Sequence, residues 1–216
     1  MAGIITASTC ETATNFLLDS GAVFKNFDVM TDTFESARIA GKLLGATRGG
    51  STFTATPTTR NREVDGLRGV PTGGIAIDDW TVTLVSNFIE VTPDTLQAAL
   101  GAAKITTTGV NVPEGYKLIQ GKSSPEREDY IQNVTWLGTL NGSEEPVIIQ
   151  IFNAMSTSGI TLSLADKSEA VLAVTFAATY DLCGGTQDPN YAPFKIFYPP
   201  KREDIIGEEE EDGGNA

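Results

Sequence analysis

The chain contains no histidine. That removes the side chain most often used as a general base near neutral pH and as a metal ligand. Ser-His-Asp and Cys-His catalysis are excluded with it. Cysteine is scarce: Cys10 and Cys183 stand near opposite ends. Two cysteines so far apart make neither a disulfide framework nor a zinc site. Cys183 is expected to be a buried free thiol, with a functional thiol the alternative. No apolar run approaches the roughly 18 residues that a membrane-spanning helix needs. The opening MAGIITASTCETATNF has neither the basic start nor the apolar stretch of a secretory signal, so the chain is expected to fold inside the cell that makes it. Positive charge is also in short supply, with 15 basic residues against 28 acidic ones and a net charge of −13. Seven of the acidic residues lie in Glu203–Asp212. Without them 15 basic residues face 21 acidic ones, a net of −6. A protein that grips nucleic acid needs the opposite sign.

What is present suits a packed domain. Hydrophobic residues make up 40% of the 216 and charged residues 20%, enough for one core and too little charge for global disorder. Residues 1–15 are rich in Thr, Ala and Ser without periodicity, and are expected to be an N-terminal arm ordered only against something else. Residues 16–200 read as a single β domain. Residues 201–216 carry a like-charge block and are expected to be disordered, although Ile205 and Ile206 could dock.

The stretch Gly45–Gly101 organises the domain. A glycine turn at Gly49-Gly50 opens a strand, Ser51–Thr56, with Thr52, Thr54 and Thr56 on one face and Phe53 and Ala55 on the other. A long polar excursion, 57–74, carries Arg60, Arg62, Glu63, Asp65 and Arg68, with Val64, Leu67 and Val70 as its apolar residues. So long a connection between strands is uncommon unless it has a function or is disordered. Mixed charge around a few apolar residues suits a protein contact. A solvated surface loop is the alternative. Its centre, REVDG, could extend a hairpin beyond the body. A second strand follows from about Ile75 to Val91, where Trp80, Val82 and Leu84 alternate with Thr81 and Thr83. Then comes a helix over Pro93–Leu100. Thr92 is its cap, Pro93 its first residue, Asp94 sits at the positive end of its dipole, and Gly101 stops it.

The rest reads as short strands. Asn15–Asp28 suggests strand, turn at Asp19-Ser20-Gly21, strand. Thr31–Gly45 fits a loop or a helical turn. Tyr116–Gln120, Asp129–Leu140, Pro146–Asn153 and Glu169–Asp181 read as strands, with a hairpin signal at Asn141-Gly142. Ile160–Leu164 and an edge strand at Lys195–Tyr198 are weaker candidates. Trp80, Leu84, Leu96, Leu100, Trp136, Leu172, Val174 and Phe176 are the expected core. These eight to ten strands and one flanking helix predict a mainly β fold, a sandwich or barrel.

Three acidic clusters could carry chemistry: Asp78-Asp79, Glu126 with Glu128 and Asp129, and Glu144-Glu145. All stand where solvated charge is ordinary. No calcium loop or phosphate-binding loop matches. No catalytic residue, cofactor or metal is therefore expected.

Four segments, LDSGAVFKNFD, LGATRGGSTFTATPTTRNREVDGLRG, IDDWTVTLVSNFIEVTPDTLQAALG and DKSEAVLAVTFAATYD with YAPFKIFYPP, resemble the major tail protein, or tail tube protein, of long-tailed bacteriophages and prophages. The resemblance spans about residues 15–200. It implies a tail-tube-type β-sandwich or barrel with a flanking helix, assembled as hexameric rings stacked into a hollow tube. It implies contacts between rings through the 57–74 loop and the terminal arms, and DNA passing through the lumen during ejection. Its implied setting is the virion tail, made in the bacterial cytoplasm, with tape measure, terminator and distal tail proteins as further partners and no membrane contact. A lumen that lets DNA slide should be polar and negative. Thr52, Thr54, Thr56, Asp78, Asp79, Thr81 and Thr83 are the candidate lining. The acidic tail has no counterpart in the resemblance. A β-sandwich binding module for carbohydrate or protein on a phage or cell surface is the alternative reading.

Overall fold

The computed structural model describes residues 7–9, 12–109, 112–162, 164, 169–181, 188 and 190–201. Cys10, Cys183 and the segment from residue 202 lie outside them. The fold is mainly β. In chain order the elements are β1 (Leu17–Lys25), α1 (Phe34–Ile39), β2 (Leu43–Gly45), β3 (Thr47–Asn61), β4 (Ile75–Phe88), α2 (Pro93–Leu100), β5 (Ala103–Thr106), β6 (Leu118–Gly121), β7 (Ile131–Leu140), β8 (Val147–Ser156), β9 (Leu172–Ala177) and β10 (Phe194–Phe197). One large antiparallel sheet runs β2-β1-β7-β8-β9-β4-β3, with β10 added to β8. β5 and β6 form a separate pair.

Two features curl this sheet around a core. β8 pairs with β7 along one edge. Its other edge is shared, with Ile148–Ile151 facing β10 and Met155 and Ser156 facing β9. At the far ends of the path, β2 and β3 are separated only by Ala46. One stretch of chain thus pairs with β1 at its start and with β4 thereafter. The inward faces share a single core in which Phe88, Leu84, Ile151, Leu172, Val174 and Phe176 are fully buried. A second cluster, Phe24, Phe27, Ala37 and Leu137, lies under α1 on the outer side of β1 and β7. Gln150 donates from Nε2 to the Phe27 carbonyl and to Thr135 Oγ1, both at 2.9 Å, and so fixes the turn after β1.

α2 follows the local rules it was read from. The Thr92 hydroxyl accepts from the Thr95 N–H at 3.1 Å, and the Thr92 N–H donates to Thr95 Oγ1 at 2.7 Å. Gly101 closes the helix at φ 72°. Asp94 also receives Lys25 Nζ at 3.2 Å, tying the helix to β1. Of the expected core, Leu84, Trp136, Leu172, Val174 and Phe176 are buried, and Trp80 and Leu96 pack half-buried against them. Leu100 is half-buried.

Several expectations are corrected. Asp19-Ser20-Gly21 is not a turn between two strands but an irregularity within β1. Leu18 pairs with Thr139 and Ala22 with Leu137, so three residues of β1 stand against one of β7. Asp19 and Gly21 take the positive φ that this needs, 70° and 68°. Gly49-Gly50 likewise lies inside β3 and opens no strand: Thr47 pairs with Phe88 and Ser51 with Ser86. For the segment after Thr31 the helical alternative holds, as α1, capped by Thr33 and Ser36. Ala103–Thr106 is an unanticipated strand, and β6 starts two residues later than read. Among the described residues of 160–164 the pairing seen is a bridge from Leu162 to Leu172, and residue 163 lies outside them. The last part of the supposed arm is packed on the body, since Asn141 Nδ2 donates to the Ala13 carbonyl at 2.9 Å.

Trp136 explains two glycines. Its indole crosses β1 and donates from Nε1 to the Ser20 carbonyl at 3.1 Å. A Cβ on Gly21 or on Gly138 would fall among the indole atoms.

Candidate subunit-contact hairpin and polar face

The β3–β4 ladder continues past the core. Trp80 is the last inward residue of β4 before the tip to pack there; its ring and that of Phe53 both lean on Phe194, with centroids 5.8 and 5.4 Å apart. Beyond it the two strands stay paired from Thr58↔Asp79 to Asn61↔Ile75, and the Arg62 N–H donates to the Gly74 carbonyl at 2.7 Å. The excursion is thus shorter than 57–74. Residues 57–61 are strand, and Arg62–Gly66 is loop and turn instead of a strand core. The tip is closed by the Leu67 N–H to the Val64 carbonyl and by the Gly74 N–H to the Pro71 carbonyl.

Its side chains are unusually apolar for an exposed arm. Val64, Leu67 and Val70 are 57%, 51% and 46% exposed, and Ile75 and Ile77 are 60% and 54% exposed. Arg60 Nε donates to Asp78 Oδ1 at 2.7 Å, so this residue braces the hairpin. Arg62, Glu63, Asp65 and Arg68 are exposed and make no side-chain hydrogen bond or ion pair among the described residues. The five charged candidates of the loop therefore divide into one internal brace and four groups free for a contact.

The outward face of β3, β4 and β9 gathers the threonines. Thr54 pairs with Thr83 and Thr56 with Thr81, while Thr52 faces Val85. The row continues to β9, where Thr175 faces Val85. Thr58, opposite Asp79, was missed because it lies in the stretch read as excursion. Thr52, Thr54, Thr56, Thr81, Asp78 and Asp79 are exposed and Thr83 is half-buried. No Lys or Arg lies on β4, on β9, or between Arg48 and Arg60 on β3. Asp79 keeps the register of the Thr face. Asp78 does not: pairing jumps from Thr58↔Asp79 to Thr59↔Ile77, which leaves Asp78 at a bulge with its carboxylate turned to Arg60. Burial, and secondarily the negative charge of Asp79, pushes the Tyr180 phenol above its ordinary pKa.

The other acidic clusters are bound locally. Lys122 Nζ donates to Glu126 at 2.7 Å and to Asp129 at 2.9 Å. The Glu126 hydrogen bond and then that of Asp129 push the ammonium pKa up. Burial works to raise the Asp129 carboxyl, but the Glu126 N–H and the Lys122 ammonium outweigh it and hold the group below its ordinary range. This is a clamped ion cluster, unlike a pair poised to exchange a proton. Glu144 and Glu145 lie in the β7–β8 turn, where the Glu145 N–H donates to Ser143 Oγ at 3.2 Å. Among the described residues no group of three or more metal-ligating side chains converges, and no helix is long and apolar enough to cross a membrane. Comparison with models of known protein families and with curated proteins finds no match.

Proposed function

We propose that this chain is a structural subunit that assembles with copies of itself into stacked rings, in the manner of the tail tube proteins it resembles. The observation that carries the reading is the projecting hairpin. A paired arm that reaches beyond the core and ends in Val64, Leu67 and Val70 keeps apolar surface in water, which is costly unless another surface covers it. The free charges of Arg62, Glu63, Asp65 and Arg68 supply the polar rim of such a contact.

Two further features support it. Among the described residues β3 carries a partner on one edge only along Ser51–Asn61, and an open edge of that length calls for a neighbour. The Thr face carries the Asp79 carboxylate, and no Lys or Arg stands on β4, on β9 or between Arg48 and Arg60 on β3. A wall of that kind offers DNA no phosphate contact. In this reading the Thr face with Asp79 borders the lumen, the hairpin joins successive rings, the tail-tube sandwich is the fold, and the virion tail is the setting. Electron microscopy of the concentrated protein tests it. Rings or tubes are expected. A uniform monomer at all concentrations sinks the reading and favours a binding module.

A further inference from the structure

We propose that the tip of the β3–β4 hairpin docks in an apolar groove on the outer side of a second copy of this chain, between α1 and the β7–β8 turn. The inference rests on the reading of the hairpin as the assembly contact, and it names the surface that receives it.

The groove has a volume of about 790 Å³. Its floor continues the second apolar cluster beyond α1. Phe27 and Leu137 lie at the bottom, and Val29 and Ile148 are half-buried above them. Phe34 of α1 forms part of the wall. Its ring meets that of Phe24 edge-on, with centroids 5.6 Å apart, yet the residue is 51% exposed. A ring held in place with half its surface in water, beside an apolar floor, favours a covering partner.

The rim carries charge of one sign. Asp19, Glu144 and Glu145 are exposed and line the groove, and no Lys or Arg lines it. Asp19 and Glu145 make no side-chain hydrogen bond or ion pair among the described residues. Asp32 differs, because Lys42 holds it. An apolar groove with an acidic rim suits an apolar segment that brings its own cation.

The hairpin tip is such a segment. After Gly66 it reads Leu67-Arg68-Gly69-Val70, and the Arg68 guanidinium has no partner among the described residues. Other cations are already engaged: Arg48 by Glu169, Arg127 by Asp181, and Lys122 by two carboxylates. Glu63 and Asp65 come before Gly66, so the arm after it enters the groove without bringing a carboxylate to the acidic rim. A guanidinium between two apolar side chains can meet a rim carboxylate while those side chains cover Phe34 and the floor.

The tip does not fill the groove of its own chain, since Val64, Leu67 and Val70 are all exposed. Along the sheet β8 and β9 stand between β7 and β4. Each copy therefore offers a tip and a groove at different places. A head-to-tail contact of that kind closes into a ring or runs on as a filament.

The test follows amide hydrogen exchange of the full chain across a concentration series. It reads residues 64–70 for the tip and residues 27–34 and 144–148 for the groove, with β9 amides as the folding control. Tip and groove are expected to slow together as concentration rises. Phe34→Ser, and separately Glu144→Arg with Glu145→Arg, should each raise the concentration at which assembly begins by about tenfold or more. Arg68→Glu alone should do the same, and Arg68→Glu added to the Glu144→Arg, Glu145→Arg chain should restore assembly. Tubes in which the tip is protected and the groove is not overturn the proposal and leave the assembly reading standing. Parental assembly by both groove variants, with β9 exchange unchanged, has the same meaning. Protection of the groove without the tip also overturns it, because something else would then be the occupant. A chain that stays monomeric with neither region protected removes the assembly reading and this proposal with it.

Discussion

Gly138 of β7 sits opposite Val147 of β8, with an ordinary strand backbone and no positive φ. A methyl group there meets no conformational penalty, and its three nearest neighbours would all be atoms of the Trp136 indole. Gly138→Ala must therefore displace the ring. The ring would lose its hydrogen bond to Ser20, worth about 1 kcal/mol. If about half of a buried area of roughly 200 Å² is exposed, a further 2–3 kcal/mol or so is lost. The expected destabilisation is about 3–4 kcal/mol. Trp136→Ala alone should cost about 3–5 kcal/mol. With the indole gone, the methyl group has room, and Gly→Ala should be neutral or stabilising by up to about 1 kcal/mol through the unfolded chain. A double-mutant cycle measured by urea titration of the dilute protein should thus show a coupling of about 3 kcal/mol or more. Additivity of the two changes within about 0.5 kcal/mol would refute the placement of the indole across Gly138.

Leu172→Ala, at a fully buried position opposite Phe88, should cost about 2–5 kcal/mol in the same titration; a loss well below 2 would mean that β9 is not packed as described. Replacing Val64, Leu67 and Val70 with Ser should leave the melting transition intact and abolish assembly seen by electron microscopy, and normal tubes from this variant would remove the hairpin from the contact. Asp78→Lys with Asp79→Lys should leave rings intact but slow DNA passage in an ejection assay, with Asp79 carrying the larger share, since Asp78 faces Arg60. Asp129 has a folded pKa below its unfolded value, so its stabilising effect is present above the ordinary carboxylate range and fades as pH falls through the folded value. The stability gap between the parent and Asp129→Asn should accordingly be widest near neutral pH and close in acid, and a gap independent of pH would show that the Lys122 cluster does not contribute through charge.

Much of the framework was legible in local sequence. The cap Thr92, Pro93 and Gly101 define α2 because capping uses only neighbouring amides and φ values. Trp80, Val82, Leu84 and Leu172, Val174, Phe176 declare inward faces because side chains alternate along any strand, whatever its partner. The Thr face could be read for the same reason, and so could an excursion with exposed charge. The rest depends on partners far away in the chain. Asp19–Gly21 and Gly49-Gly50 look like turns, and only β7 and β4 on the facing edges make them irregularities within continuous strands. Where the hairpin leaves the core is decided by Phe194, from the end of the chain, leaning on Trp80 and Phe53. Asp78 is separated from Asp79 by one slip of register against Thr58 and Thr59. β8 serves two neighbours on one edge, and β2 with β3 brings the sheet back on itself, through hydrogen bonds between residues distant in sequence. Sequence alone thus determined which residues seek the core, because burial preference and alternation are local. Tertiary structure decided which strands meet and in what register, because those bonds form only when distant segments bury their apolar faces together.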